Sequence, residues 1–222
     1  MKREIITTAD GSKTIHIPEW NEQYHSKHGA IQEAYHVFIK HGLSLFKDRS
    51  VKILEIGFGT GLNALITCLE AEKLNVSIQY KGVEAFPITE EELSSLNYVS
   101  QLNAEDYATV FDSLHAVEWE TAHKIKDFFS LTKQQKDFRE IEDTNAFDLI
   151  YFDAFGARVQ PELWTEAVFE RMFLALKEDS YLVTYSAKGS VRRAMQAVGF
   201  LVERLPGPPG KREMLRAYKG RL

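Results

Sequence analysis

From Val51 onward the chain alternates between strand-like and helix-like runs: VKILEI, LNALITCLEAEKL, SIQYKGVE, TEEELSSL, then FDLIYFD, PELWTEAVFERMFLAL, SYLVTYS and SVRRAMQAV. A parallel crossover needs a helix-sized connection that buries its apolar face on the sheet, so this order predicts a doubly wound α/β domain with helices on both faces. The rhythm breaks near the C-terminus. There GFLVERL, the turn-rich PGPPGK and REMLRAY read as two strands joined by a loop, an antiparallel hairpin at the sheet edge. Before Val51, IITT and TIHI flank Asp10-Gly11, the signature of a tight two-residue hairpin. YHSKHGAIQEAYHVFIKHGL then carries Ile31, Tyr35, Phe38 and Ile39 on one helical stripe. Residues 1–50 read as a hairpin-and-helix preface and 51–222 as the α/β domain, together one compact unit. A chain of 222 residues suffices for one full core but not for a large second domain.

Composition narrows the function classes. With 44% hydrophobic and 27% charged residues and no apolar run near bilayer length, the chain reads as an ordinary soluble globular protein. The N-terminus lacks an apolar signal core and Cys68 is the single cysteine, so a reducing cytoplasm is expected, with Cys68 packed inside a helix. The net charge of -5 argues against nucleic acid only until the charges are placed along the chain. From Lys188 to Leu222 nine cations face only Glu203 and Glu213, a balance of +7 against -12 for the remainder. Binding responds to the local field, so one face of an acidic chain can still attract phosphate.

Ligands of such sheets bind beyond the carboxyl ends of the strands, where the strand order reverses. In KILEIGFGTGLNA, Gly57, Gly59 and Gly61 follow the first strand directly, where a backbone must turn sharply and approach a ligand closely. A dinucleotide site expects G-x-G-x-x-G, with pyrophosphate on the helix N-terminus. Here the spacing is G-x-G-x-G, with Asn63 after it and Glu55 before it; a carboxylate there would repel pyrophosphate but could accept from an ammonium group. Glu84 ends the second strand, where a carboxylate can accept from two ribose hydroxyls. The combination favours S-adenosylmethionine over a nicotinamide cofactor. Asp153 ends the fourth strand, and Tyr185 the fifth.

Several stretches together resemble the MnmD/MnmC N-terminal-domain family of bacterial tRNA methyltransferases: YHSKHGAIQEAYHVFI, ILEIGFGTGLNA, DLIYFDAF, QPELW, TYSAKGSVRRAMQAVGF and GPPGKREMLRA. The glycine loop is common to many methyltransferases, whereas DAF followed by PELW and the terminal GPPGKREM are far more specific. The resemblance implies a Rossmann-like fold with a mostly parallel seven-stranded sheet. It also implies methyl transfer from S-adenosylmethionine to the amine of 5-aminomethyl-2-thiouridine at the wobble position of tRNA. One departure is visible: after Asp153-Ala154-Phe155 the family usually reads Ala-Pro, and this chain has Gly156-Ala157, without the proline's rigidity. A chain ending at Leu222 without an oxidase portion would perform the methylation step alone.

On this reading Glu55, Gly57, Gly59, Gly61, Asn63, Glu84 and Asp153 hold the cofactor, and Asp153 also orients the amine and takes its proton or stabilises the cation formed. Phe155 and Tyr185 wall the substrate pocket. Lys188, Arg192 and Arg193, with Lys211 and Arg212 after the GPPG segment, contact the phosphates of an anticodon stem-loop. Tyr24, His25, His28 and Gln32 are placed near cofactor or substrate by the resemblance. No metal is expected, since His25 and His28 have no cysteine or carboxylate cluster at ligand spacing. Residues 123–144 read as a strand followed by a polar turn with no role assigned, and the oligomeric state is not legible. Two other classes stay open. A small-molecule amine methyltransferase or aminopropyltransferase would use the same loop without needing the basic tail, and a non-catalytic tRNA-binding module would need neither Glu84 nor Asp153.

Overall fold

The computed structural model describes residues 2–221; Met1 and Leu222, the outer ends of the two expected units, lie outside the described residues. The opening hairpin pairs β1 (Glu4–Thr7) with β2 (Lys13–Ile17), and β3 (Glu22–Gln23) extends it to a three-stranded sheet. Its connection is not the tight two-residue turn expected at Asp10-Gly11 but a longer loop, residues 8–12. The Asp10 carboxylate closes that loop, accepting from the Thr8 hydroxyl at 2.8 Å and the Ser12 backbone N–H at 3.1 Å. Next, α1 (Ala30–Ala34) widens into a π-helical stretch over Tyr35–Lys40. The widening turns the expected stripe: Val37, Phe38 and Ile39 are buried, while Ile31 and Tyr35 are only partly so.

The main sheet begins with β4 (Ser50–Ile56), which passes through α2 (Leu62–Lys73) to its parallel neighbour β5 (Ser77–Val83). Then come α3 (Glu90–Ser95), α4 (Tyr98–Gln101) and α5 (Ala108–Ala116), the first begun by a Thr89–Glu92 capping box. The unassigned stretch forms the hairpin β6 (Ala122–Lys126) and β7 (Phe129–Gln134), and β7 pairs parallel with β5. The chain then crosses to the other side of β4 through β8 (Phe147–Phe152), α6 (Glu166–Ala175), β9 (Leu176–Thr184), α7 (Gly189–Ala197), β10 (Leu201–Pro206) and β11 (Glu213–Lys219). The order is β10-β11-β9-β8-β4-β5-β7-β6, parallel from β9 to β7 and antiparallel at both edges. The doubly wound class and the C-terminal hairpin stand, with eight strands rather than seven. The stretch expected as one strand and a polar turn supplies two strands, β6 and β7, and β6 is a polar edge strand that no core face patterns.

β4 lies in the middle and is covered on both faces. Val51 and Ile53 join the core beneath α2 and α5, whereas Leu54 and Ile56 join the core beneath α6 and α7. The first of these cores also takes in Ala30, Ala34, Val37 and Phe38, so the preface helix is packed into the α/β domain. Cys68 is buried within α2, and burial pushes its thiol up to about 12. Because the chain leaves β4 toward β5 and returns on its opposite side at β8, the connections diverge between the β4 and β8 tips. A crevice opens there.

Candidate active site

The loop from Gly57 to Gly61 carries β4 into α2 at the crevice. Gly57 has φ +89°, and a Cβ on it would lie 2.7 Å from the Asp153 carbonyl oxygen, so only glycine lets the β4 and β8 tips touch. Gly61, at φ +72°, is likewise closed to a side chain by the His115 ring. The Gly59 N–H donates to Glu84 Oε2 at 3.0 Å and the Phe86 N–H to Glu84 Oε1 at 2.9 Å. Two backbone donors thus fix this buried carboxylate at the edge of the cleft, and each oxygen keeps acceptor capacity for a ligand.

One side chain joins the two neighbouring strand tips. The Asn63 amide, from the first turn of α2, spends one N–H on Glu55 Oε1 at 2.9 Å and the other on Asp153 Oδ2 at 2.8 Å. Its own Oδ1 is buried and has no partner among the described residues. Burial is the first cause that raises the Asp153 carboxyl, to about 7, with the Glu33 charge adding to it and the Asn63 bond and Lys211 opposing. Glu55 is held well above the carboxylate range, mainly by burial. Expected to meet a cofactor ammonium directly, Glu55 is instead 0% exposed and does not line the cleft. It acts on the cleft through Asn63, because β4 points its side chain under the loop rather than over it.

The cleft holds about 260 Å³ and is walled by the preface as much as by the sheet. Phe155 stands edge-on to Trp20 at 5.5 Å and to Tyr24 at 5.0 Å, and the Tyr24 ring covers Gly59. Half-buried His25, also lining the cleft, is pushed down to about 4 by desolvation and is neutral. The preface is clamped at two places. Arg3 donates to the Phe86 carbonyl at 3.0 Å and pairs with Glu92 at 3.2 Å. Arg158 donates to the Trp20 and Asn21 carbonyls at 2.8 and 2.9 Å and pairs with Glu22. Those bonds brace the loop in which Gly156-Ala157 lacks the family's proline. Tyr185 does not line this cleft; its hydroxyl donates to the Ala154 carbonyl at 2.8 Å just behind Asp153.

Sequence reasoning missed Arg3, Trp20, Phe86 and the Asp137–Phe138–Arg139 corner after β7, all of which line the cleft. Nothing in their local pattern signals this, since they come from separate loops. His28 packs against Gly210, and the Gln32 backbone N–H donates to Asp10, so neither is a cleft residue.

The basic tail is mostly spent on internal contacts. Arg204 pairs with Glu213, Arg216 with Glu203 and Arg221 with Asp179, while Lys219 donates to the Phe173 and Leu176 carbonyls. Lys211, expected as a surface cation on a flap, is bonded to buried Glu33 at 2.5 Å. Arg212 is 88% exposed and leans loosely on Glu213. Lys188 and Arg193 are exposed at the start of α7 with no ion pair among the described residues, and Arg192 beside them is half-buried with an unpartnered Nε. These cations follow Tyr185 and so flank the crevice.

The residues present fit S-adenosylmethionine. Arg3 and Arg139 are neutralised by Glu92 and Asp137, which leaves the carboxyl groups of Glu84, Asp153 and Glu162 in the cleft without a cationic partner at ion-pair distance among the described residues. Such a lining suits a sulfonium and an ammonium and repels a pyrophosphate.

Comparison with known proteins bears on this arrangement. A family model described as S-adenosyl-L-methionine-dependent methyltransferase matches residues 96–220, more than half of the chain, taking in Asp153, Tyr185 and Lys211. A Hydrogenovibrio crunogenus protein, the tRNA 5-methylaminomethyl-2-thiouridine biosynthesis bifunctional protein MnmC, is 29% identical over 210 residues, 88% of this chain. The chain spans about a third of the length of that relative, 31%. Among solved structures, MnmC2 from Aquifex aeolicus superposes with a TM-score of 0.79 at 26% identity, covering 99% of this chain and 71% of that one. A spermidine synthase bound to the transition-state analogue AdoDATO, at 16% identity and a TM-score of 0.63, covers 98% of this chain and 70% of that one and shares the fold alone.

Proposed function

This chain belongs to the S-adenosyl-L-methionine-dependent methyltransferase family, and from that premise we propose that it methylates the primary amine of 5-aminomethyl-2-thiouridine at the tRNA wobble position. The observation that carries the reading is the Asn63 amide holding the Asp153 carboxylate at the tip of β8, in an anionic cleft with aromatic walls. The name of the MnmC relative, a tRNA 5-methylaminomethyl-2-thiouridine biosynthesis protein, supports the choice of tRNA as substrate.

Glu84 would hold the ribose hydroxyls, the glycine loop the methionine backbone, and Phe86 with Phe138 the base. The cofactor supplies a methyl group on a positively charged sulfur, open to in-line displacement by an amine lone pair. Asp153 then has two tasks. Its Oδ accepts from the amine and aims the lone pair, and it receives the proton that the nitrogen sheds once the N–C bond has formed. A carboxyl held at about 7 is suited to both, because it can take and release a proton near neutral pH. Trp20, Tyr24 and Phe155 would stack an unstacked wobble base, and Lys188, Arg192, Arg193 and Arg212 would meet the phosphates on either side of it. The setting is the cytoplasm, where tRNA is modified.

The test is transfer of labelled methyl to tRNA from a strain that accumulates 5-aminomethyl-2-thiouridine, followed by nucleoside mass analysis. A methylated amine at the wobble uridine is the expected product. No transfer to tRNA by a chain that binds the cofactor would redirect the reading to a small-molecule amine.

A further inference from the structure

One partly buried ion pair beside the cleft has no part in the chemistry above. Glu33 of α1 is 6% exposed, and its Oε1 receives the Lys211 ammonium, carried in from the β10–β11 loop, at 2.5 Å. Its Oε2 accepts the Ser26 backbone N–H at 2.9 Å, so the carboxylate is held from both sides. The same Lys211 Nζ lies 3.8 Å from the centroid of the Tyr185 ring, whose hydroxyl is bonded to the carbonyl of the residue after Asp153. The two ends of the chain meet behind the β8 tip. Opposite charges fixed in a poorly solvated spot act strongly on a third ionisable group nearby.

Resting on the amine-methylation reading, we propose that Glu33 and Lys211 are positioning residues of the site, a pair in which the Lys211 ammonium checks the Glu33 charge that would otherwise hold a proton on Asp153 and keep it from the substrate amine. Glu33 alone would favour a proton on Asp153, and Lys211 alone would drive it off; the Glu33 effect is the larger, and Lys211 offsets part of it. The other groups around Asp153 are accounted for. Asn63 of α2 donates to it, and Glu55 of β4 is buried, its carboxyl raised well above the usual range mainly by burial, and shares the same Asn63 amide. Tyr185 after β9 and His25 of the preface are neutral. Glu22 of β3 is paired with Arg158, and Glu84 at the end of β5 is bonded to two backbone N–H groups. The pair is the adjustable element.

The experiment records methyl transfer against pH for the wild-type chain, Glu33→Gln, Lys211→Met and the double variant. The acid limb should move to lower pH in Glu33→Gln and to higher pH in Lys211→Met, each by roughly one unit. The double variant should fall between the two single variants, and Lys211→Arg should keep the wild-type limb. Shifts in one common direction, or limbs that stay in place, overturn the proposal. If one single variant does not fold, the other still decides by the sign of its shift. A parallel titration needs no substrate: the 13C-carboxyl resonance of Asp153 in the cofactor-free chain, assigned by its loss in Asp153→Asn. Opposite midpoint shifts support the pair and unchanged midpoints overturn it. A wild-type chain that leaves the tRNA amine unmethylated would sink the substrate reading alone, and this titration would then decide on the pair.

Discussion

Asp153 shows how one residue can be costly to the fold and useful to the chemistry. Asp153→Asn should lower turnover by roughly 10²- to 10⁴-fold, the worth of a positioned acid–base group. Cofactor affinity measured by calorimetry should change little, because Glu84 and the glycine loop are untouched. The sign of the pH effect on stability follows from the raised carboxyl. The folded chain holds its proton up to about 7, where the unfolded chain loses it near the ordinary aspartate value of 3.8, so this group stabilises the fold below about 4 and that contribution is lost as pH rises to about 7. Asp153→Asn should therefore have a higher Tm than wild type at pH 8 and about the same Tm at pH 4. Equal melting at both pH values would mean that Asp153 is not a buried charge.

At the scale of elements, the glycine loop and the loop after β8 carry their glycines for different reasons. Gly57→Ala would drive a Cβ against the backbone of Asp153 at a left-handed φ, where neither side can give. The expected cost in urea unfolding is about 1–3 kcal/mol, with a clear loss of cofactor affinity. At Gly156 a Cβ would meet Glu22 Oε2 at 3.6 Å and the Tyr185 hydroxyl at 3.7 Å, ordinary contacts, and φ is not in the left-handed region. Gly156→Ala should be neutral or stabilise by up to about 1 kcal/mol. The departure from the family's Ala-Pro leaves the loop braced, because Arg158 supplies from outside the constraint that a proline supplies from within.

For the whole molecule, the distribution of charge matters more than its sum. A net charge of -5 would discourage an RNA, and a tail of +7 would attract one, but the folded chain holds Arg204, Lys211, Arg216 and Arg221 of that tail in ion pairs with its own carboxylates. The cations left to the solvent cluster where α7 starts. Replacing Lys188, Arg193 and Arg212 together by alanine should flatten the slope of log affinity for tRNA against log salt by about 2, since each phosphate that a cation no longer neutralises removes about 0.7. Replacing Arg216 and Arg221, which are paired, should leave that slope in place. If both sets change it equally, the tail acts as a uniform field and internal pairing does not select its working members.

The alternation of runs, the glycine loop and the carboxylates at strand tips were legible in the sequence because each depends on neighbours along the chain: periodicity, a turn that only glycine can make, the last residue of a strand. From these followed the doubly wound sheet, the place of the crevice, and Gly57, Glu84 and Asp153 around it. Folding alone decided what lies across the crevice. Trp20 and Tyr24 of the preface meet Phe155, Arg158 ties the two loops together, and Asn63 stands between Glu55 and Asp153. It likewise turned Lys211 from a surface charge into the partner of Glu33 and exposed β6 as an eighth strand. Local pattern carries no record of which distant side chain will neutralise a charge or cover a loop, because those pairings form only when the sheet closes and burial makes an unpaired group costly.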